Sequence, residues 1–168
     1  MNPYHVESFG PITPFGDAAP PLAGSREGWV MLSKHGPCFV CDPDNAAGMR
    51  ADFYRDQDVI RCPFVFGDAQ MGPPGHAHGG SLAALLDEIM GAAAWNRRTN
   101  LLAVHLEYDL RRPTPVGVEV MASAWVKADG NRSIRVASEI RLPDGTVAVE
   151  ASGVFAQAPK LFERAFHG

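Results

Sequence analysis

The 168-residue sequence predicts an α+β fold in which one long buried helix packs against an antiparallel sheet. A loop rich in Gly and Pro runs directly into one apolar segment, and together they span Gly72–Trp95. Two segments with strand character precede this stretch and four follow it, which is the order expected of a helix covered by a sheet. With 46% hydrophobic and 20% charged residues, the composition is that of an ordinary globular domain. We therefore expect a single domain with one core.

The helix is predicted from its turn-rich start and its periodicity. Gly72-Pro73-Pro74-Gly75 favours turns, and no proline follows until Pro113. Bulky apolar side chains recur at helical spacing and predict a buried face: Leu82, Leu85, Leu86, Ile89, Met90 and Ala93. A second face carries small side chains around one carboxylate: Ala83, Asp87, Gly91 and Ala94. A carboxylate there is costly unless it is paired, hydrogen-bonded, used in chemistry or turned to solvent at the helix edge.

The segment before the helix is predicted to hold an N-terminal arm, a cysteine pair and two strands. Residues 1–35 form the arm, residues 36–168 form the domain, and Gly28–Ser33 is either a short helix or a strand. Cys38 and Cys41 have the spacing of half a zinc site or of a redox pair. A structural zinc needs four ligands and no second such pair follows, so we expect buried thiols on a short strand and no metal.

The strands are assigned from alternation and from turn residues. Asp129-Gly130-Asn131 and Pro143-Asp144-Gly145 predict two hairpins. The predicted strands are Gly48–Tyr54, Asp58–Phe66 with Pro63 at an edge or bulge, Leu101–Arg112, Val118–Ala128, Ser133–Leu142 and Thr146–Gln157.

Charge and terminal sequence exclude several classes of protein. The net charge of −4 argues against a nucleic-acid binder. Asp87 and Glu88 interrupt the only long apolar segment, so we expect no membrane span. The N-terminus lacks a basic patch followed by an apolar run, which predicts no secretion signal. Three cysteines without such a signal indicate reduced thiols in the cytoplasm.

The motifs resemble one enzyme family over about residues 36–157. HGGSLAALLDEIMG after GPPG, a strand ending in LRRP, a meander, and CFVCDPDNAAGMR upstream are similar to hotdog-fold thioesterases of the PaaI type. The resemblance implies a hotdog fold, in which a long helix is wrapped by a curved antiparallel sheet of five to six strands. It also implies a homodimer, sometimes a dimer of dimers, and an acyl or aroyl thioester of coenzyme A, or of a carrier protein, as substrate. No cofactor is expected.

Thioester hydrolysis gives the residues around the helix start definite roles. An unpaired N–H at a helix start is a natural oxyanion donor, and Gly79 has no side chain to block a carbonyl. Asp87 is suited to act as general base or as nucleophile. These residues are eight positions apart, a rise of about 12 Å, so a site using both requires two antiparallel helices from two subunits. His78 is either a base or a loop-fixing hydrogen-bond partner. Gly80 is expected to line the substrate site.

Two positions depart from the pattern of the family. Many relatives carry Asn or Gln where this chain has Gly72, and Gln70 from the same loop is the candidate substitute. Relatives often carry Ser or Thr where this chain has Ala103, and we expect His105 to share that strand face and to replace the hydroxyl or to be a packed or surface residue. These departures leave an alternative open, a hotdog protein that binds acyl-CoA or a lipid-like ligand without hydrolysing it. A hotdog hydratase or dehydratase is the third possibility.

Basic and aromatic residues complete the candidate site. Arg111 and Arg112, at the end of the strand after the helix, are the candidates for the coenzyme A phosphates, because guanidinium groups suit phosphate oxygens. Arg97, Arg98 and Arg132 are further candidates. Four apolar residues are expected to line an acyl tunnel or to belong to the core: Phe64, Phe66, Met90 and Trp95. We expect Glu88 to pair with a basic residue or to lie at a solvated rim.

Overall fold

The computed structural model describes residues 25–34 and 36–165 and confirms the predicted α+β class. One antiparallel sheet has the order β1-β2-β3-β5-β6-β7-β4 across the described residues. The elements are β1 Val30–Met31, β2 Tyr54–Asp56, β3 Val59–Val65, α1 Gly79–Trp95, β4 Leu101–Leu110, β5 Glu119–Asp129, β6 Ser133–Arg141, β7 Val147–Gln157 and α2 Pro159–Ala165. The sheet thus has seven strands in this part of the chain instead of five to six, because β1 and β2 are short additional strands.

Helix α1 lies on one face of the sheet and forms the centre of the core. It contacts β3, β4, β5, β6 and β7. All six side chains of the predicted apolar face are buried, and Ala94 is buried with them. Asp87 and Gly91, on the face of small side chains, stay partly exposed. The burial of the apolar face fixes the rotation of α1, so Asp87 is directed away from the centre of the core.

Strands β4 to β7 confirm the prediction to within two residues at each end. Both turn signals lie where expected, since β5 and β6 flank residues 130–132 and β6 and β7 flank residues 142–146. Pro63 lies in β3 beyond the residues that β2 covers, which is the predicted edge position. No helix in the described ranges is both long and apolar enough to cross a lipid bilayer.

Two predictions upstream of the helix are wrong. Of the predicted strand Gly48–Tyr54 only Tyr54 belongs to a strand, because Arg50 takes a positive φ of 59° that breaks the extended backbone. The N–H of Ala51 donates instead to the Val40 carbonyl at 2.8 Å. The cysteine pair lies on a turn and not on a strand, with Cys41 buried and Cys38 half-buried.

Part of the segment assigned to the N-terminal arm packs against the domain. Strand β1 falls within it, pairs with β2, and shows that the region around Gly28–Ser33 contains a strand. Residues 1–24 and His35 lie outside the described residues. At the other end of the chain, α2 places Phe162 against Trp95 with ring centroids 5.2 Å apart.

Candidate active site

His78 organises the start of α1. It is the N-cap residue, with an extended backbone, and its Nδ1 accepts a hydrogen bond from the Gly80 N–H at 2.8 Å. Its own N–H donates to the Gln70 carbonyl at 2.8 Å, and the Ser81 hydroxyl donates to the same carbonyl at 3.2 Å. The loop-fixing hydrogen bonds expected of His78 are therefore present. They tie the Gly/Pro loop to the first turn of the helix.

The capping leaves one backbone donor of the first turn available. The N–H groups of Gly80, Ser81 and Leu82 all donate to His78, through its ring or its carbonyl. In the described part of the chain, the Gly79 N–H has no hydrogen-bond acceptor. A Cβ on Gly79 would lie 3.2 Å from Leu110 Cδ1, so the end of β4 lies beside the helix start. An unpaired N–H at the positive end of the helix dipole is suited to bind an oxyanion.

Gly72 packs directly against His78. A Cβ at Gly72 would lie 2.9 Å from His78 Cα and 3.0 Å from His78 Cδ2. No side chain fits there while His78 caps the helix, so the Asn or Gln that the resemblance places at this position has no room in this loop. Gln70, the candidate substitute, directs its Oε1 to the Gly67 N–H at 2.9 Å. The Gln70 side-chain oxygen therefore anchors the 3₁₀ turn Asp68–Gln70.

Asp87 is half-buried, and its surroundings disfavour its charge. Burial raises the pKa of Asp87, and the neighbouring charge of Glu88 raises it further. Tyr108 on β4 lies near this carboxylate. Burial, and then the negative charge of Asp87, raises the pKa of Tyr108 to about 12. Sequence reasoning missed Tyr108, because a tyrosine in an alternating strand is usually part of the core. A carboxylate with a raised pKa is a stronger proton acceptor than an ordinary one.

A cavity of about 810 Å³ opens beside Asp87. Asp87, Glu88 and Gly91 form one wall, and residues 101–103 of β4 with Phe155 form another. Four residues were expected either to line an acyl tunnel or to belong to the core. Trp95 lines the cavity. The other three are buried in the core: Phe64, Phe66 and Met90. The lining is mostly apolar around two carboxylates, which suits an acyl chain next to a reacting carbonyl.

A β-bulge separates Ala103 from His105. Ala103 pairs with Phe155, whereas His105 pairs with Val154, so Val104 is the extra residue. Ala103 thus shares the face of Phe155 and lines the cavity, while His105 lies on the opposite face beside Glu107, 3.4 Å away. The expectation that His105 shares the strand face of Ala103 is wrong. Alternation predicted a shared face, and an inserted residue inverts it.

The candidate phosphate-binding arginines differ in their partners. Arg111 forms ion pairs with Asp109 at 3.0 Å and with Glu150 at 2.5 Å. Arg112 is exposed and has no ion-pair partner within 4 Å among the described residues. Of the remaining candidates, Arg97 and Arg98 pair with Asp58 and Asp129, and Arg132 is exposed. Arg112 follows the end of β4, the end that lies beside Gly79.

Glu88 has an unexpected partner. The Cys38 thiol donates to Glu88 Oε1 at 3.4 Å, and no basic side chain forms an ion pair with Glu88 in the described ranges. Of the two alternatives expected for Glu88, the described residues do not show the basic partner, and a half-buried place in the wall of the open cavity fits the solvated rim. Cys38 is fifty residues away in the sequence, and this contact has no local signal.

Parts of the sequence are similar to known thioesterases. Residues 74–149 match the family model described as thioesterase superfamily. Acyl-coenzyme A thioesterase THEM4 of Xenopus laevis is 30% identical over 95 residues, 56% of this chain and 43% of that protein. Human acyl-coenzyme A thioesterase THEM5 is 32% identical over 106 residues, 62% of this chain and 43% of that protein. The chain thus spans about two fifths of the length of these curated relatives.

Solved structures place the chain among hotdog proteins. A crystal structure described as a thioesterase superfamily protein has a TM-score of 0.65 and 32% identity, covering 68% of this chain and 57% of that one. The PaaI protein of E. coli has a TM-score of 0.57 and 19% identity, covering 61% and 79% respectively, and it supports the fold alone. By its hotdog fold and by the match over residues 74–149, the chain is similar to proteins of the thioesterase superfamily.

Proposed function

We propose that this protein hydrolyses acyl or aroyl thioesters of coenzyme A at sites shared between two subunits. The Gly79 N–H holds the carbonyl oxygen, and Asp87 of the other subunit is the general base or nucleophile. The observation that carries this proposal is the unpaired Gly79 N–H at the start of α1. Two curated relatives are acyl-coenzyme A thioesterases, which supports acyl-coenzyme A as the substrate class.

The chemistry needs few groups because a thiolate leaves readily. The Gly79 N–H and the helix dipole stabilise the negative charge that develops on the carbonyl oxygen. Asp87 takes a proton from water as the water oxygen bonds to the carbonyl carbon, or it attacks that carbon itself and water then opens the anhydride. The C–S bond breaks, and the coenzyme A thiolate takes up a proton from solvent.

Three features support a site that spans two subunits. Asp87 lies about 12 Å along the helix from Gly79, which is beyond the reach of one carbonyl group. Strand β4 is the terminal strand of the sheet, and its outer edge has no partner strand in the described part of the chain. Leu110 and Met71, near the helix start, are 55% and 38% exposed and offer apolar surface for a second subunit. A two-fold dimer then contains two equivalent sites.

Replacing Gly79 by proline tests the oxyanion donor. Proline removes the N–H and is favoured at the first position of a helix, and His78 already has the extended backbone, with φ −67° and ψ 139°, that a residue before proline prefers. We expect Gly79→Pro to lower kcat by about 100-fold. Gly79→Ala keeps the N–H and meets only the flexible Leu110 side chain, so it should keep most of the activity. The assay is thiol release from short, long and aromatic acyl-CoAs.

Mixing inactive subunits tests the sharing of the site. A dimer of one Asp87→Asn subunit and one Gly79→Pro subunit has one site in which both groups are intact. Random reassociation of equal amounts should restore about a quarter of the wild-type activity, since half of the dimers are mixed and each has one intact site of two. No recovery, with mixed dimers confirmed by mass spectrometry, would refute the shared site.

Ala103 favours a second candidate function, the binding of acyl-CoA without hydrolysis. It lines the cavity where the family pattern places a hydroxyl, so no hydroxyl from this position orients water. Thermal stabilisation by acyl-CoAs with no thiol release from any of them would establish this binding function instead.

A further inference from the structure

Cys38, Cys41 and Glu88 form a cluster of metal-binding groups beside the cavity. One ligand atom from each residue, two sulfurs and a carboxylate oxygen, lies within 4.8 Å of the other two. Cys41 is buried, and Cys38 and Glu88 are half-buried. In tetrahedral zinc sites the ligand atoms are separated by about 3.5–3.8 Å, so small side-chain rotations bring all three to bonding distance. The two cysteines alone would be half a site, and Glu88 supplies the third ligand.

The backbone of the cysteine turn fixes the position of the Cys38 sulfur. The N–H groups of Val40 and Cys41 both donate to Cys38 Sγ, each at 3.3 Å. Backbone contacts of this kind hold a ligand atom in place. The turn therefore positions Cys38 Sγ beside Glu88 before any metal binds.

The loop around the cluster is held in place by its own backbone. The Met49 N–H donates to the Phe39 carbonyl at 2.9 Å. The side-chain amide of Asn45 donates to the Cys38 carbonyl at 3.3 Å. Gly48 is required for this closure, because a Cβ there would lie 2.8 Å from the Phe39 carbonyl oxygen. Supporting hydrogen bonds of this kind orient ligands in known metal sites.

The charge balance at the cluster favours a cation. Glu88 has no ion-pair partner among residues 25–34 and 36–165, and Asp87 lies next to it in the chain. Lys34 lines the same cavity, but it pairs with Asp52 at 2.5 Å. Because Glu88 has no ion-pair partner in the described part of the chain, a divalent cation bound beside it would balance the charge of its carboxylate.

We propose that Cys38, Cys41 and Glu88 bind one zinc ion per chain through two thiolates and one carboxylate. Thiolate ligands select zinc over magnesium and calcium. On binding, both thiols release their protons to solvent while two Zn–S bonds and one Zn–O bond form. Cys41 and Glu88 both line the cavity, so the fourth position of the ion is open to the cavity and takes water or a ligand oxygen. The ion ties the cysteine turn to α1.

Metal binding by the full chain tests this site without reference to catalysis. The protein is reduced, freed of metal with a chelator and titrated with Zn²⁺ against a competing indicator, and Co²⁺ is added in a parallel experiment. We expect one equivalent of Zn²⁺ and, with Co²⁺, the sulfur-to-cobalt charge-transfer and visible bands of a tetrahedral site. Cys38→Ser and Glu88→Gln should each weaken zinc binding by about 100-fold or more, since even the loss of a supporting group costs up to that factor.

Cys62→Ala is the matched control, because Cys62 is a fully buried thiol outside the cluster. This variant should bind zinc as the wild type does. Unchanged zinc affinity in Glu88→Gln would overturn the three-ligand site. Failure of the reduced protein to bind either ion would also overturn the proposal, and a Cys38–Cys41 disulfide in the isolated protein would then identify the pair as a redox pair.

Discussion

At the scale of single residues, the pKa of Asp87 sets the expected pH dependence. Burial and then the charge of Glu88 raise that pKa above its ordinary value of 3.8. Protonated Asp87 cannot accept a proton, so kcat/KM should rise with pH through the raised pKa. Glu88→Gln removes the like charge and should move this acid limb to lower pH. The measurement is a pH–rate profile on chelator-treated protein, so that no cation at Glu88 contributes.

Glu107→Gln is the control for this profile, because Glu107 lies on the opposite face of β4 and does not influence Asp87. Its acid limb should coincide with that of the wild type. A limb that stays fixed in Glu88→Gln would contradict the assignment of Asp87 as the base.

Since folding raises the pKa of Asp87, ionised Asp87 lowers the free energy of unfolding above that pKa. Asp87→Asn should therefore stabilise the protein at pH 7, and the gain should vanish as the pH falls below 3.8.

Gly72 has a steric role that a neighbouring glycine does not share. A Cβ at Gly72 would meet the His78 backbone at 2.9 Å, whereas one at Gly75 would meet nothing within 4 Å. Gly72→Ala should displace His78, lower the free energy of unfolding by about 1–3 kcal/mol and reduce kcat. Gly75→Ala should cost about 1–2 kcal/mol through its positive φ of 74°, with kcat nearly unchanged. Urea unfolding and thiol release measure both variants, and equal loss of kcat in the two would refute the role of Gly72.

At the scale of elements, the cap of α1 separates the two roles considered for His78. Its ring accepts from the Gly80 N–H, and asparagine is a strong N-cap residue with a side-chain oxygen that can replace this acceptor. His78→Ala should lower the free energy of unfolding by about 1 kcal/mol and reduce kcat as the first turn loosens. His78→Asn should retain both stability and most of kcat. An Asn variant that is as stable as the wild type but as inactive as the Ala variant would show that the imidazole takes part in catalysis.

The elements also show what local sequence can and cannot predict. The bounds of α1 and of β4 to β7 were predictable because their turn residues and apolar periodicity are local properties. The bulge at Val104 was not, since one inserted residue leaves the pattern of the strand almost unchanged and inverts the face of His105. The prediction of a strand at the cysteine pair was wrong for another reason. Its backbone bonds to residues 49 and 51 replace a sheet ladder, and such a pairing leaves no period in the sequence.

At the scale of the whole molecule, the residues of the candidate site also fall into two groups, those that local sequence predicts and those that it does not. Gly79, His78 and Asp87 were predicted as site residues from one helix and its resemblance to a family, because spacing along a helix fixes their relative positions. Tyr108 beside Asp87, and Cys38 beside Glu88, come from elements distant in the sequence. Such contacts depend on the packing of the turn and of β4 against α1, which no single sequence window contains.

The dependence of activity on protein concentration tests the proposed site between two subunits. In the proposed dimer each chain contributes Gly79 to one site and Asp87 to the other, so a monomer would contain no complete site. Specific activity should therefore fall in proportion to the fraction of monomer as the protein is diluted through the dimer dissociation constant. Sedimentation equilibrium gives that constant independently, and reconcentration should restore the lost activity. Constant specific activity at dilutions where sedimentation shows only monomer would mean that one chain completes the site, and the 12 Å between Gly79 and Asp87 would then exclude their joint action.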